Sequence, residues 1–267
     1  MLGRAVAFGF STARDFVARG LIRIGATPNA VTLAGLVFTA GAGVCFAIGA
    51  QIGRPGWTLR PQAGANAYLL LAAWLLVMSF GCDMLDGAIA RIAGKGTRFG
   101  AFLDSSVDRF SDFLIYAGIA ASYAWSSPAN LTFVLLAMVA FLNGFMISYT
   151  RARAEDLIDS CSVGFWQRGE RMAAVLIAAL AHNIPALVLQ QAISPFFTVL
   201  RRIMHTRAIL AGKEPVTDPR NGSRLHKIRI WEWPRMTVPY DAAVLLNIAW
   251  LVFARIEAVD WLRAAIQ

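Results

Sequence analysis

The sequence predicts an all-α integral membrane protein, with six transmembrane helices preceded by an N-terminal juxtamembrane amphipathic helix. Two observations carry that expectation. Of 267 residues, 57% are hydrophobic and only 15% are charged. With a mean hydropathy of +0.55, the chain is too apolar for a soluble domain of this length. Apolar runs close to the ~20 residues that cross a hydrocarbon core also recur along it.

The elements follow in order. Residues 1–26 interleave Arg4, Arg14, Arg19 and Arg23 with Phe8, Phe10, Phe16, Val17, Leu21 and Ile22. They lack the compact apolar core and cleavage site of a signal peptide and read as a basic helix lying on the membrane surface. Spans are expected near 29–50, 67–91, 104–126, 131–150, 163–181 and 185–205, the last two separated by a tight turn at His182, Asn183 and Pro185. Basic residues gather after every second span: Arg91, Lys95, Arg98 and Arg109, then Arg151, Arg153, Arg168 and Arg171, then Arg201 and Arg202. Between spans one and two, on the opposite side, stand only Arg54 and Arg60. Lys and Arg mark cytoplasmic loops, so both chain ends are expected in the cytoplasm. The net charge of +9 is then largely a topology signal that also suits anionic membrane lipids, and no motif supports a nucleic-acid partner.

Cys45, Cys82 and Cys161 are odd in number and lack CxxC spacing, which argues against a disulfide framework or a zinc site. Residues 209–267 form a C-terminal extension, a basic polar stretch followed by an apolar run from Val238 to Phe253 that is short for a span. It reads as an interfacial or capping helix, with a seventh span as the alternative. Trp231, Trp233, Trp250 and Trp261 suit an interfacial position.

The stretch CDMLDGAIARIAGKGTRFGAFLDSSVDRFSD, residues 82–112, is where charge concentrates. Asp83, Asp86, Gly87, Ala90 and Arg91 share one helical face, as do Asp104 and Asp108 on a second arm beyond Gly94, Gly96 and Gly100. Folding that hairpin at the membrane face gathers four carboxylates, which repel one another unless cations neutralise them. Oxygen-only ligands favour Mg²⁺ or Mn²⁺, and two such ions are a standard grip on a diphosphate. The competing reading, a salt-bridge network with Arg91, Arg98 and Arg109, leaves the small residues Gly87 and Ala90 unexplained.

The pattern Asp83-x2-Asp86-Gly87-x2-Ala90-Arg91-x8-Gly100-x3-Asp104-x3-Asp108 resembles the signature of the CDP-alcohol phosphatidyltransferases. The resemblance covers roughly residues 20–208. It implies six transmembrane helices, a homodimer, a two-ion Mg²⁺ site and a CDP-linked lipid substrate such as CDP-diacylglycerol. By match to the motif, Asp83, Asp86, Asp104 and Asp108 are metal ligands and Asp108 is also the catalytic base. Asp83, Gly87, Ala90 and Arg91 face the nucleotide, joined by Pro28 and Asn29 from TPNAVT, in which Thr32 also stands. The segments SYTRARAE and RGERM resemble those of prokaryotic phosphatidylinositol-phosphate synthases. There basic residues hold the acceptor phosphate, a role that passes to Arg151, Arg153, Arg168 and Arg171.

The expected activity is therefore transfer of a phosphatidyl group to a hydroxyl of a phosphorylated alcohol, inositol 1-phosphate, with release of CMP. Glycerol 3-phosphate stays open as the acceptor, which would make the chain a phosphatidylglycerophosphate synthase. A divalent-cation channel or transporter is the reading from another class. The expected division is 1–26 juxtamembrane helix, 27–208 transferase domain with its site facing the cytoplasm, and 209–267 extension. Since every signature residue precedes the extension, removal of 215–267 is expected to leave a folded, active protein.

Overall fold

A computed structural model describes residues 2–50, 66–213, 233, 235 and 237–266. Arg54, Arg60 and Trp231 lie outside the described residues, as do the side chains of Arg4, Phe8 and Phe10. Among those described, the protein is all-helical: α1 Leu2–Arg23, α2 Pro28–Gly49, α3 Ala67–Ile92, α4 Arg98–Ala124, α5 Leu131–Glu155, α6 Arg168–Leu180, α7 Ile184–Leu210, α8 Val238–Phe253 and α9 Trp261–Ile266.

The helix starts follow from capping. Thr27 accepts from Ala30 N (3.3 Å) ahead of Pro28, which suits a first helical turn. Asn66 accepts from Tyr68 N (3.1 Å) and donates to the Gly49 carbonyl (2.7 Å), tying the end of α2 to the start of α3. Thr97 accepts from Gly100 N (2.9 Å), so α4 begins at Arg98, six residues before the expected span.

Four helices, α2, α3, α5 and α7, are long and apolar enough to cross a membrane. α4 has the length, 27 residues, but carries Asp104, Asp108, Arg109 and Asp112 along it. α6 has 13 residues and starts five later than expected, because its approach is irregular chain held by a side chain of α7. Arg202, 1% exposed, donates to the carbonyls of Val163 (3.1 Å) and Ile147 and to Gln167 Oε1 (2.9 Å).

α2 packs between α3 and α4. A Cβ on Gly118 would collide with the Gly43 backbone, and one on Gly43 would lie 2.6 Å from the Leu114 carbonyl; bare glycines permit this crossing. Thr39 and Ser79 share a 2.8 Å hydrogen bond between α2 and α3. In α7, Pro195 cannot donate to the Gln191 carbonyl, and Asn143 of α5 donates there instead (3.3 Å) and to the Ala192 carbonyl (2.8 Å). On the other flank, Ala18, Leu21 and Ile22 of α1 pack with Val31, Ala88 and Ile89 of α2 and α3.

The extension departs most from the sequence reading. α8 is not laid across the end of the bundle but runs alongside α6. Tyr240 at its start meets Glu170 in the first turn of α6 (2.6 Å). At its end the carbonyls of Leu251 and Ala254 accept from Asn183 Nδ2 (2.9 and 2.8 Å), just before α7. Ala243 and Leu251 belong to the main apolar core. Beyond α8, Asp260 accepts from Thr132 Oγ1 (2.7 Å) and from the Leu131 and Thr132 amides, capping α5. The Thr132 hydroxyl foremost holds the Asp260 carboxyl below the usual carboxylate range.

Candidate active site

The aspartate stretch forms the end of α3, a turn through Gly94 in the left-handed region (φ 62°) and the start of α4. Its glycines include one set by contact: a Cβ on Gly100 would stand 3.1 Å from Thr97 Oγ1 and 3.3 Å from Asn29 Oδ1. The hairpin therefore closes against the start of α2, where Pro28 and Asn29 lie.

Asp83, Asp104 and Asp108 each offer a carboxylate oxygen within 4.8 Å of the others. Asp104 Oδ1 is buried with no hydrogen-bond partner. Three converging carboxylates with an unused buried oxygen fit a hard divalent cation. Asp86 is set apart from these three. Three residues on from Asp83, it is 8% exposed and accepts a 2.6 Å hydrogen bond from Thr32 Oγ1 of α2, although it lines the same small cavity as Asp83, Asp108, Thr32, Ser111 and Arg168. Gly87 and Ala90 are half-buried and Arg91 exposed one turn further along α3; a Cβ on Gly87 would meet only Arg91 Nη1, at 3.6 Å.

Of the three arginines in the competing salt-bridge reading, Arg91, Arg98 and Arg109, only Arg109 pairs with the cluster among the described residues, and the shorter contacts come from Arg168. Arg168, the first residue of α6, places Nη2 2.7 Å from Asp108 Oδ1 and Nη1 3.2 Å from Asp83. Arg109 stands 3.7 Å from Asp108. The four arginines expected around an acceptor phosphate are thus divided. Arg151 and Arg153 end α5, paired along their own chain with Glu155 (2.8 Å) and Asp156 (2.7 Å).

Arg171 shares the face of Arg168 one turn deeper, 1% exposed, and bonds Asp112 of α4 at 2.8 Å. Gly144 of α5 makes room for it, since a Cβ there would lie 3.2 Å from Arg171 Nε. Arg171 therefore meets a carboxylate below the site rather than the open cavity. Asp112 escaped the sequence reading although it continues the four-residue register of Asp104 and Asp108.

Comparison with known proteins gives the family. The CDP-alcohol phosphatidyltransferase family model matches residues 26–211, and the chain belongs to that family, as a metal-dependent transferase and a membrane protein. A phosphatidylinositol phosphate synthase of Mycolicibacterium smegmatis is 33% identical over 219 residues, covering 78% of this chain and 89% of its own. An archaetidylinositol phosphate synthase of Methanothermobacter thermautotrophicus is 37% identical over 147 residues, or 53% and 72%. The crystal structure of Mycobacterium tuberculosis phosphatidylinositol phosphate synthase with CDP-DAG bound is similar at a TM-score of 0.60 and 28% identity, covering 72% of this chain and 92% of that one. A second structure of that enzyme is in complex with manganese and citrate.

Proposed function

We propose that the protein transfers a phosphatidyl group from CDP-diacylglycerol to a hydroxyl of inositol 1-phosphate and releases CMP. The observation that carries this reading is the convergence of Asp83, Asp104 and Asp108 within 4.8 Å with Arg168 spanning Asp83 and Asp108. The names of the relatives support the acceptor.

Asp83, Asp104 and Asp108, with Asp86 at the back of the cavity, hold divalent ions, Mg²⁺ or Mn²⁺, which when bound neutralise the diphosphate of the CDP-lipid. Asp108 takes the proton of the attacking hydroxyl as the new P–O bond forms and the bond to the CMP oxygen breaks. Gly87, Ala90, Arg91, Pro28 and Asn29 border the nucleotide. Arg168, with Arg151 and Arg153, binds the acceptor phosphate and brings its hydroxyl to Asp108, so that binding away from the reacting atoms lowers the barrier. Arg171 supports Arg168 from below.

Residues 27–208 make six crossings in this reading, α1 lies on the membrane surface, and the site faces the cytoplasm of a homodimer. The full height of α6 covered by α8 supports a seventh crossing. The test is CMP release by the purified protein with Mg²⁺ and CDP-diacylglycerol against inositol 1-phosphate, glycerol 3-phosphate, inositol and serine. Inositol 1-phosphate is expected to turn over fastest, and Arg168→Gln to lower its kcat/KM about ten- to a hundredfold, the scale of one charge-assisted hydrogen bond. Fastest turnover with an unphosphorylated alcohol, untouched by Arg168→Gln, would overturn the reading.

A further inference from the structure

The family match ends at residue 211, and the CDP-DAG-bound relative uses 92% of its own chain on 72% of this one. α8 therefore lies outside the shared domain, yet it takes hold of the helix that carries Arg168. Tyr240 Oη and Arg235 Nη2 each donate to Glu170 Oε1 at 2.6 Å. The rings of Tyr240 and Phe165, just ahead of α6, lie 5.5 Å apart. Residues two apart on a helix differ by about 200° around its axis, so Glu170 faces away from Arg168. The first turn of α6 is gripped on both faces: Arg168 and Arg171 bind the carboxylates of α3 and α4, and Glu170 binds α8.

A carboxylate so close to an acidic cluster needs a reason to stay on the far face. Arg235 gives it a cation there, and Tyr240 gives it a directed hydrogen bond. The other end of α8 is fastened independently. Trp250 Nε1 donates to the Ala186 carbonyl (3.0 Å) and Gln190 donates to Asn247 (2.8 Å). Both of these partners belong to α7 rather than to the first turn of α6.

We infer that α8 is part of the active-site apparatus: Tyr240 and Arg235 are positioning residues that hold the first turn of α6 from behind and so set the reach of Arg168 into the carboxylate cluster. A small error in the placement of a charged group near the reacting atoms lowers the rate even where the group itself is retained. The inference rests on Arg168 acting in the site, and it opposes the expectation that the extension is dispensable.

The experiment compares two substitutions that each remove one hydrogen bond from α8, Tyr240→Phe at the active-site end and Trp250→Phe at the far end, in the purified full-length protein. Three quantities are read: melting temperature, CMP release from CDP-diacylglycerol with inositol 1-phosphate, and amide hydrogen exchange over residues 168–172. Both variants are expected to melt slightly and similarly below wild type. Only Tyr240→Phe is expected to lose turnover, about three- to tenfold, the kinetic equivalent of one hydrogen bond, and to speed exchange in the first turn of α6. Arg235→Gln is expected to behave like Tyr240→Phe, and Arg235→Lys to restore activity.

Equal loss of turnover in Tyr240→Phe and Trp250→Phe would overturn the inference, as would wild-type exchange and turnover in Tyr240→Phe. Exchange needs no acceptor. If inositol 1-phosphate proves inert, faster exchange confined to Tyr240→Phe still supports the positioning role, and unchanged exchange overturns it.

Discussion

The hairpin of α3 and α4 and the first turn of α6 bring opposite charges to one place, and they are held there in different ways. In the hairpin, Asp83, Asp104 and Asp108 converge through helix periodicity, a left-handed glycine and a threonine cap, all close together along the chain. Arg168 is brought in by interactions distant in sequence: Arg171 with Asp112, Gln167 with Arg202, and Glu170 with Tyr240. The hairpin is a local device that gathers its charges within a short stretch of chain. The turn of α6 is a tertiary construction, and several of its polar groups serve to support one that reaches the site. Substitutions should therefore fail differently, in turnover at the carboxylates of the hairpin and in folding at the buried pair of Arg171 and Asp112 beneath α6.

The largest effect is expected in the hairpin. Asp108→Asn should lower CMP release about a hundred- to ten-thousandfold, the range for loss of a catalytic acid–base group, and Asp83→Asn and Asp104→Asn, each removing a charged metal ligand, should abolish it, all at a near-native melting temperature. Chelation with EDTA should reproduce this loss, and Mg²⁺ or Mn²⁺ should reverse it. Near-normal turnover in any two of these variants would remove the hairpin from the chemistry.

Beneath α6 the expected loss is of stability. Arg171→Gln leaves Asp112 buried without its cation, which costs about 3–5 kcal/mol when one partner of a buried pair is removed. The variant should melt well below wild type or fail to elute as a single species, and the paired change Asp112→Leu with Arg171→Met should recover much of the difference. A variant that melts normally and loses only acceptor affinity would show that Arg171 binds substrate.

The smallest effect on stability is expected at the end of α5. Arg151 and Arg153 form exposed pairs with near neighbours in sequence, and such pairs contribute about 0–1 kcal/mol. Arg151→Ala and Arg153→Ala should melt within a few degrees of wild type. Any loss they show should appear in the KM for the acceptor rather than for the CDP-lipid. A large fall in melting temperature would place these arginines with the supports of α6.

Legibility in the sequence followed the range of the interactions. α2, α3 and α5 could be read because their apolar runs are long, with Thr27, Asn66 and Asn130 capping them, whereas α7 could be placed from a shorter run after the turn at Pro185. The gathering of the aspartates could also be read, since residues three or four apart on a helix share a face whatever surrounds them. α4 could be placed only approximately, because Asp104, Asp108, Arg109 and Asp112 interrupt its hydropathy. Asp86 illustrates the limit of periodicity, which put it on the face of Asp83 but could not say that Thr32 of α2 would hold it back by a hydrogen bond.

What the sequence determined by itself was the solvent, the helical class and the acidic hairpin, because each depends on residues close along the chain. The tertiary structure decided which arginine faces the carboxylates, which one is buried beneath them, and that the C-terminal helix stands beside α6 rather than at its end. The physical reason is that Arg168 and Arg171 are equivalent in charge and lie within one helical turn, with Glu170 between them. Their different fates are set by what each face of that turn meets, Asp108 and Asp112 on one side and Tyr240 with Arg235 on the other, and those partners lie far away along the chain.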